Sequence, residues 1–272
     1  MKISKRIPIC KPQKIETNLS SYRPINILNS YEKIIQKWIK KNLEKYLSEI
    51  KLIIPNHHGG IQKHSTLSAM TVINHHCKKL KDQNKFGLVL SSDLSSAYDT
   101  VDKETILNKM EYYGIVKEEL EIFKSILTER TEFVEINNKR SSLLESNPCS
   151  IIQGSVISSL LYILYTNEVP LLHELLKDEE WINKNLEEDV TKIDDIEHTT
   201  DNFIDDSNSV IEFNDPTDAN FYLDRFLKVL KIYYNDNKLQ INTDKTSLLV
   251  ISKQKHNHIK EEIRIEDDTE VV

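Results

Sequence analysis

The chain has 272 residues, and several common features of proteins are scarce in it. Only five glycines occur, and the sequence contains no low-complexity linker and no internal repeat. The three cysteines, Cys10, Cys77 and Cys149, are an odd number without metal-binding spacing, which favours reduced thiols. No run of 18 apolar residues occurs, and the N-terminus lacks the apolar core of a secretory signal. We therefore expect no membrane association and an intracellular location, cytoplasmic or nuclear.

Basic residues are also in the minority. The chain has 36 Lys and Arg against 43 Asp and Glu, which gives a formal net charge of −7. This balance argues against a strongly basic nucleic-acid binder, because phosphate contacts need cationic side chains. The charge is nevertheless polarised, since residues 1–51 contain 12 basic and 4 acidic side chains. A protein with such a surface can still bind nucleic acid on its basic side.

Apolar residues recur with the period of a helix or a strand along most of the chain. The patterns predict amphipathic helices at 30–49, 65–81, 103–113, 117–128 and 219–235, a buried helix at 156–166 and a strand at 87–90. Apolar residues at 133–136 followed by Asn137-Asn138 indicate a hairpin. The acidic region 171–200 is interpreted as an exposed, partly helical insertion.

Two segments place carboxylates at the ends of predicted strands. In FIDDSNSVI, residues 203–211, Asp205 and Asp206 lie between two apolar pairs, which indicates strand, tight turn and strand. In GLVLSSDLSSAYDTVD, residues 87–102, an apolar strand leads to Asp93. Carboxylates at the ends of two strands can hold two divalent metals about 3.5–4 Å apart. An adjacent Asp pair in so acidic a chain is usually a solvated turn, so the interpretation depends on the flanking strands.

Seven segments, in order, resemble the reverse transcriptase domain of non-LTR retrotransposons and related retroelements. IPICKP and SYRPINILN resemble its first two fingers motifs, and HHGGIQKHSTLSAM resembles its glycine, basic and Ser-Thr segment. DLSSAYDTVD and QGSVISSLLYILYTNEVP resemble the first two palm motifs, FIDDSNSVI the metal-binding hairpin, and NKLQINTDKTSLLVIS the closing palm motif. The sequence departs from the family pattern at Ile61, Ile152 and Ser159.

The resemblance implies an α+β fold. We expect the palm-and-fingers, right-hand polymerase fold with an antiparallel palm sheet and with a thumb that is absent or incomplete. The fingers would occupy 1–85 and 118–147. The palm would occupy 86–117 and 148–252, with the acidic insertion at 171–200. Residues 253–272 would begin a post-palm hairpin or tail.

The resemblance also implies an RNA-directed DNA polymerase that transfers dNTPs to a primer 3′-hydroxyl on an RNA template. Asp93 and Asp205 would be the primary metal ligands, with Asp206 and the backbone carbonyl of Leu94 as further ligands. Two Mg²⁺ ions are the expected cofactors, with Mn²⁺ as an alternative, because these metals suit hard oxygen ligands. Lys245 matches a position near the pyrophosphate, where a lysine can act as a general acid. The sequence leaves the oligomeric state open.

The remaining candidate residues match positions that contact the nucleotide. Lys11 and Arg23 match fingers positions that meet the triphosphate, where Arg offers bidentate binding and Lys a compact charge. Tyr98 matches the aromatic residue that packs under the incoming sugar and excludes a 2′-hydroxyl, although phenylalanine is commoner there. Gln153 and Gly154 match the part of the second palm motif beside the nucleotide.

Two alternatives stay open at this point. The first is a catalytically inactive retroelement remnant that acts at most as a nucleic-acid-binding module; negative charge and motif departures favour it, and the intact aspartates oppose it. The second is an RNA-dependent RNA polymerase, which shares the palm hairpin but is disfavoured by Tyr98 and the YRPI segment. A zinc site is disfavoured because no cysteine spacing supports it. We therefore expect surface or capping positions for four histidines, His57, His58, His75 and His76.

Overall fold

The structure is a computed structural model that describes residues 2–12, 14–15, 17–147, 149–186 and 196–252. The strands in these ranges are β1 (Ile3–Cys10), β2 (Tyr22–Ile27), β3 (Phe86–Ser92), β4 (Thr131–Ile136), β5 (Lys139–Arg140), β6 (Leu144–Glu145), β7 (Glu197–Phe203), β8 (Asp206–Phe213) and β9 (Ser247–Ile251). The α-helices are α1 (Ser30–Glu49), α2 (Thr66–Asp82), α3 (Ala97–Thr100), α4 (Lys103–Tyr112), α5 (Glu118–Leu127), α6 (Ser158–Tyr165), α7 (Glu179–Asn185) and α8 (Ala219–Asp236). Short 3₁₀ helices occupy Leu19–Ser21, Val169–Lys177 and Pro216–Asp218. The predicted post-palm segment at 253–272 lies outside the described residues.

The chain divides into two compact units, each built from two separate stretches of sequence. The first unit contains Met1–Ile53 and Ser96–Thr166, and the second contains Ile54–Ser95 and the residues from Asn167 onward. Each unit therefore needs side chains that are distant in sequence to complete its core. The predicted limits of fingers and palm stay predictions.

The first unit contains a mixed sheet in the order β2-β1-β4-β5, with β6 also paired to β4. Strand β1 is antiparallel to β2 and parallel to β4. The hairpin between β4 and β5 turns at Asn137 and Asn138, whose φ values of 50° and 61° suit the two-residue turn that favours Asn. The predicted hairpin is confirmed.

Helix α1 begins and ends where the apolar period predicts. Asn29 accepts a hydrogen bond from the Tyr31 amide and thereby caps its first turn. One face buries Ile39, Leu43 and Leu47. Helix α6, by contrast, is buried on all sides, which agrees with its almost uninterrupted apolar sequence.

The second unit contains a four-stranded antiparallel sheet in the order β7-β8-β3-β9. The all-antiparallel pairing confirms the predicted palm sheet. Leu80 of α2 packs against one face, at Val89 and Val210. Tyr222 of α8 contacts the other face at Phe213, since residues 210 and 213 of one strand point in opposite directions.

The acidic region at 171–200 differs in two places from the exposed insertion that its composition predicts. Leu172, His173 and Ile182 are buried, and the residues from Glu197 onward belong to β7. The acidic composition wrongly predicts full exposure, because a few apolar side chains among the acidic ones are buried in the core. Residues 187–195 lie outside the described ranges. No helix in the described part of the chain is both long and apolar enough to cross a membrane.

Candidate active site

The predicted carboxylates meet at one end of the sheet in the second unit. Strands β3 and β8 are paired so that Ser92 lies opposite Ser207. Asp93 follows Ser92 directly, and Asp206 precedes Ser207, so this register brings the two aspartates to the same edge. Asp205 directly precedes Asp206 and lies in the two-residue turn that joins β7 to β8.

The Asp93 and Asp206 side chains interact directly. Asp206 shares a hydrogen bond with Asp93. Partial burial raises the pKa of Asp206 to about 6, the carboxylates of Asp205 and Asp93 contribute in the same direction, and the Lys245 ammonium opposes the shift. A cation bound beside these carboxylates would relieve their mutual repulsion, which the Lys245 ammonium and protonation of Asp206 otherwise offset.

The segment after residue 239 completes this edge. The Asn242 amide donates to the Asp93 carbonyl over 2.8 Å, and the Ser95 amide donates to the Gln240 carbonyl over 2.8 Å. These bonds flank a bridge between Leu94 and Ile241 and leave the Leu94 carbonyl directed away from that segment. This direction is compatible with the predicted role of that carbonyl as a metal ligand.

Lys245 lies in the turn that precedes β9. Its Nζ donates to Asp93 Oδ2 over 2.5 Å, and its side chain is 65% exposed. The predicted general acid is therefore next to a predicted metal ligand, and it has solvent on its other side.

The described residues contain no cluster of three His, Cys, Asp or Glu side chains that could by itself hold a metal ion. The contact between Asp93 and Asp206, with Asp205 in the adjoining turn, offers fewer converging carboxylates than such a cluster and leaves coordination positions open. This donor set fits Mg²⁺, which commonly binds one or two carboxylates and takes its remaining ligands from substrate phosphates and water.

Lys11 and Arg23 lie at one end of the β1–β2 hairpin in the first unit. Lys11 follows the last residue of β1, and its amide donates to the Ser21 carbonyl over 2.7 Å. Arg23 pairs with Ile9 and is exposed. Their shared location would allow both to reach one triphosphate, and their contact with a nucleotide stays a prediction.

The other predicted nucleotide contacts also belong to the first unit. The Tyr98 ring stacks on Tyr162, with centroids 5.4 Å apart and planes 20° from parallel. Gln153 accepts a hydrogen bond from the Asn26 amide through its carbonyl over 2.8 Å. Gly154 has a φ of 109°, and a Cβ built there would lie 2.4 Å from the Asn26 carbonyl oxygen. The second palm motif therefore packs closely on β2.

The prediction of surface positions was wrong for His57 and His58, which are 1% and 5% exposed. Both belong to a segment that pairs with β7 directly beside the Asp205 turn. His75 lies exposed on α2, as predicted. The sequence offered one signal that this segment packs closely against the hairpin. Gly59 and Gly60 are adjacent in a chain that has only five glycines.

Residues 9–264 match the protein family described as "Reverse transcriptase (RNA-dependent DNA polymerase)". The chain belongs to the reverse transcriptase family. The resemblance on which the site residues were chosen is thereby confirmed.

Two transposon proteins of Drosophila melanogaster are similar in sequence. The probable RNA-directed DNA polymerase from transposon BS is 29% identical over 176 residues, which are 62% of this chain and 18% of that protein. The RNA-directed DNA polymerase from the mobile element jockey is 26% identical over 164 residues, 60% of this chain and 18% of that protein. The aligned part of this reverse transcriptase domain thus spans less than a fifth of each relative.

Solved telomerase structures share the fold. That of Candida albicans, in complex with a fragment of telomeric RNA, has a TM-score of 0.60 at 15% identity and covers 94% of this chain and 43% of the telomerase chain. Apo telomerase of Candida tropicalis, truncated from its C-terminal domain, has a TM-score of 0.60 at 13% identity, with coverages of 95% and 52%. These likenesses confirm the predicted right-hand polymerase fold.

Proposed function

We propose that this chain transfers a deoxynucleotide from a dNTP to the 3′-hydroxyl of a primer paired with an RNA template. The observation that carries the proposal is the meeting of Asp93, Asp205 and Asp206 at one sheet edge in a member of the reverse transcriptase family. The primer oxygen would form a bond to the α-phosphorus, and the bond to the departing pyrophosphate would break. Bound Mg²⁺ ions would favour ionisation of the 3′-hydroxyl and neutralise charge on the pyrophosphate.

Each group at this sheet edge would have its own role in the reaction. Asp93 and Asp205 would hold the metals, with Asp206 and the Leu94 carbonyl as supporting ligands. Lys245 would donate a proton to the departing pyrophosphate. This assignment is supported by the contact of Lys245 with Asp93, which leaves the ammonium beside the metal position.

The substrate contacts belong to the first unit. Lys11 and Arg23 would bind the triphosphate, and Gln153 and Gly154 would lie along the nucleotide. Tyr98 would block a 2′-hydroxyl. Stacking on Tyr162 supports this role, because a ring held by a second ring keeps its position when a sugar presses on it.

Single-nucleotide extension of a primer on an RNA template tests the proposal directly. The chain, one dNTP and Mg²⁺ should extend the primer by one residue. Asp205→Asn should abolish extension, since it removes a metal ligand at constant size. Asp82→Asn, which changes an exposed aspartate at the end of α2, should leave the rate unchanged.

The same assay separates the two alternatives. Template and primer that bind without any extension would indicate an inactive nucleic-acid-binding remnant. Extension with NTPs but not with dNTPs would indicate an RNA polymerase. Family membership favours the dNTP-dependent reaction over both.

A further inference from the structure

We propose that residues Asn56 to Gly59 act as a positioning strand that fixes the Asp205 turn and thereby the metal site. The inference rests on the proposed function, since it concerns the same carboxylates. Neither His58 nor Gly59 would touch substrate or metal. They would act through Asp201, Asn202 and Ile204 of the adjoining hairpin.

Backbone hydrogen bonds attach this segment to β7. The His58 amide donates to the Asn202 carbonyl over 2.8 Å, and the Asn202 amide donates to the Asn56 carbonyl over 2.9 Å. His57 and Asn202 thereby form a parallel bridge. The outer edge of β7 is therefore paired at a point three residues before Asp205, where a free edge would let the hairpin move.

A buried polar network connects the same segment to α2. His58 Nε2 donates to Asp201 Oδ1 over 3.3 Å, and Asn56 Nδ2 donates to the same oxygen over 3.2 Å. On its other side, His58 Nδ1 lies 3.1 Å from Ser68 Oγ, within the capping box of α2. Because His58 and Asp201 are both buried, loss of the imidazole would remove one of the two donors that bind the Asp201 carboxylate away from water.

The turn itself is strained and lies against glycine. Ile204, the residue before Asp205, has a φ of 60°, which is unfavourable for a β-branched side chain. A Cβ built on Gly59 would lie 2.5 Å from Ile204 Cγ1 and 2.7 Å from the Ile204 amide nitrogen. A strained backbone persists only where its surroundings fix it, and here the buried backbone of Gly59 supplies that contact.

Four variants test the positioning role. Gly59→Ala presses a methyl group on the turn, and His58→Phe removes the link to Asp201, whereas His58→Gln keeps a donor near the position of Nε2. Gly87→Ala is the matched control, because its Cβ would also clash at 2.5 Å, with Leu80 Cδ1, but at the far end of β3 from Asp93. All four are compared with the wild type in the full chain.

Two measurements are made on each protein. The first is amide hydrogen exchange, without metal or nucleic acid, of peptides that cover residues 202–207 and of peptides from β3 and β9 in the rest of the sheet. The second is the Mg²⁺ concentration that gives the half-maximal rate of single-nucleotide addition. Gly59→Ala and His58→Phe should speed exchange in the hairpin alone and raise the half-maximal Mg²⁺ concentration about ten-fold, as loss of an outer-shell partner commonly does. His58→Gln and Gly87→Ala should keep the wild-type Mg²⁺ dependence.

The results distinguish a failure of the positioning role from a failure of the proposed polymerase function. The positioning role is overturned if hairpin exchange stays unchanged in Gly59→Ala and His58→Phe. It is also overturned if exchange in these variants rises throughout the sheet as much as in Gly87→Ala. An unchanged Mg²⁺ dependence in active variants overturns it as well. If the wild type extends no primer, the proposed function fails, and the exchange data still decide whether Asn56 to Gly59 fix the turn. If one variant does not fold, the other carries the test.

Discussion

Lys245 Nζ lies 2.5 Å from Asp93 Oδ2, although 152 positions separate the two residues in the sequence. The lysine side chain is 65% exposed and the aspartate 16%. An ion pair with so exposed a partner contributes only about 0–1 kcal/mol to stability. The pair therefore matters less for folding than for the charge that it places beside the proposed metal site.

Replacing Lys245 with alanine is expected to slow single-nucleotide addition about 10²-fold, because a positioned general acid contributes about 10²–10⁴-fold. Lys245→Arg should stay slow, since a guanidinium keeps the charge but does not release its proton. The measurement is the rate of one addition at saturating dNTP and Mg²⁺. A wild-type rate in the arginine variant would show that Lys245 acts through charge alone.

Tyr98→Ala is expected to relax discrimination against ribonucleotides, because removal of the ring opens space for a 2′-hydroxyl. Tyr98→Phe is the matched control, since it keeps the ring that stacks on Tyr162. The measurement is the ratio of dNTP to NTP efficiency in single-nucleotide extension. An active Tyr98→Ala variant with the wild-type ratio would exclude Tyr98 as the sugar gate.

Gly154→Ala is expected to destabilise the protein by about 1–3 kcal/mol or more, the cost of a strained backbone conformation. The new methyl group would meet a backbone oxygen of Asn26, which cannot rotate away. Gly114→Ala is the comparison: its φ is also positive, at 88°, but its Cβ would meet the hydroxyl of Tyr46, the far end of a side chain. Urea unfolding of both variants should show the larger loss at Gly154. Equal losses would mean that φ alone sets the cost.

Protonation of His57 is expected to destabilise the fold as the pH drops from about 6.5 towards 4, against an opposite contribution from Asp206, whose pKa is raised. Burial lowers the pKa of His57 from 6.5 to about 4, although the Asn167 carbonyl and Glu168 oppose the shift. The unfolded chain therefore binds a proton more readily than the folded one between these values, and folding loses up to about 3 kcal/mol over this interval.

Substitution of His57 isolates this contribution. His57→Gln cannot take up a proton and keeps a donor towards the Asn167 carbonyl, so the loss of stability at acid pH should be smaller than in the wild type. His198, which is also buried with a lowered pKa, remains and should leave part of the slope. The measurement is the urea midpoint at pH 7.5, 6 and 5. Parallel profiles for the two proteins would contradict the assignment.

Local sequence was sufficient for elements whose ends are chemically marked. Helix α1 matches its predicted limits because Asn29 caps it and its apolar residues recur regularly. The aspartates could be predicted because apolar strands flank them and the family resemblance supplies their partners. For the helix the decisive information lies in the element and its cap, whereas for the aspartates it also comes from motifs distributed along the chain.

The polar part of strand β7, residues 197–202, and the Asn56–Gly59 segment could not be predicted in this way. The sequence of β7, EHTTDNF, is polar, yet Thr200, Asp201 and Asn202 are buried. Their burial depends on partners that are distant in sequence, such as Asn56 and His58. The sequence immediately around β7 therefore does not indicate it. Polar residues that satisfy each other across long sequence distances follow no hydrophobic period.

The order of strands in the second unit has a consequence for synthesis on the ribosome. Strand β3 is central and apolar, and one of its two edges pairs with β9, where Ser247 lies opposite Ser91. At about 5–20 residues per second, translation leaves on the order of 10 s between the two strands. For most of this interval β8, the partner on the other edge, is also missing, so the nascent chain presents both edges of Leu88, Val89 and Leu90 to its neighbours. A chaperone that covers these edges until Ile251 emerges would keep newly made chains from pairing with one another.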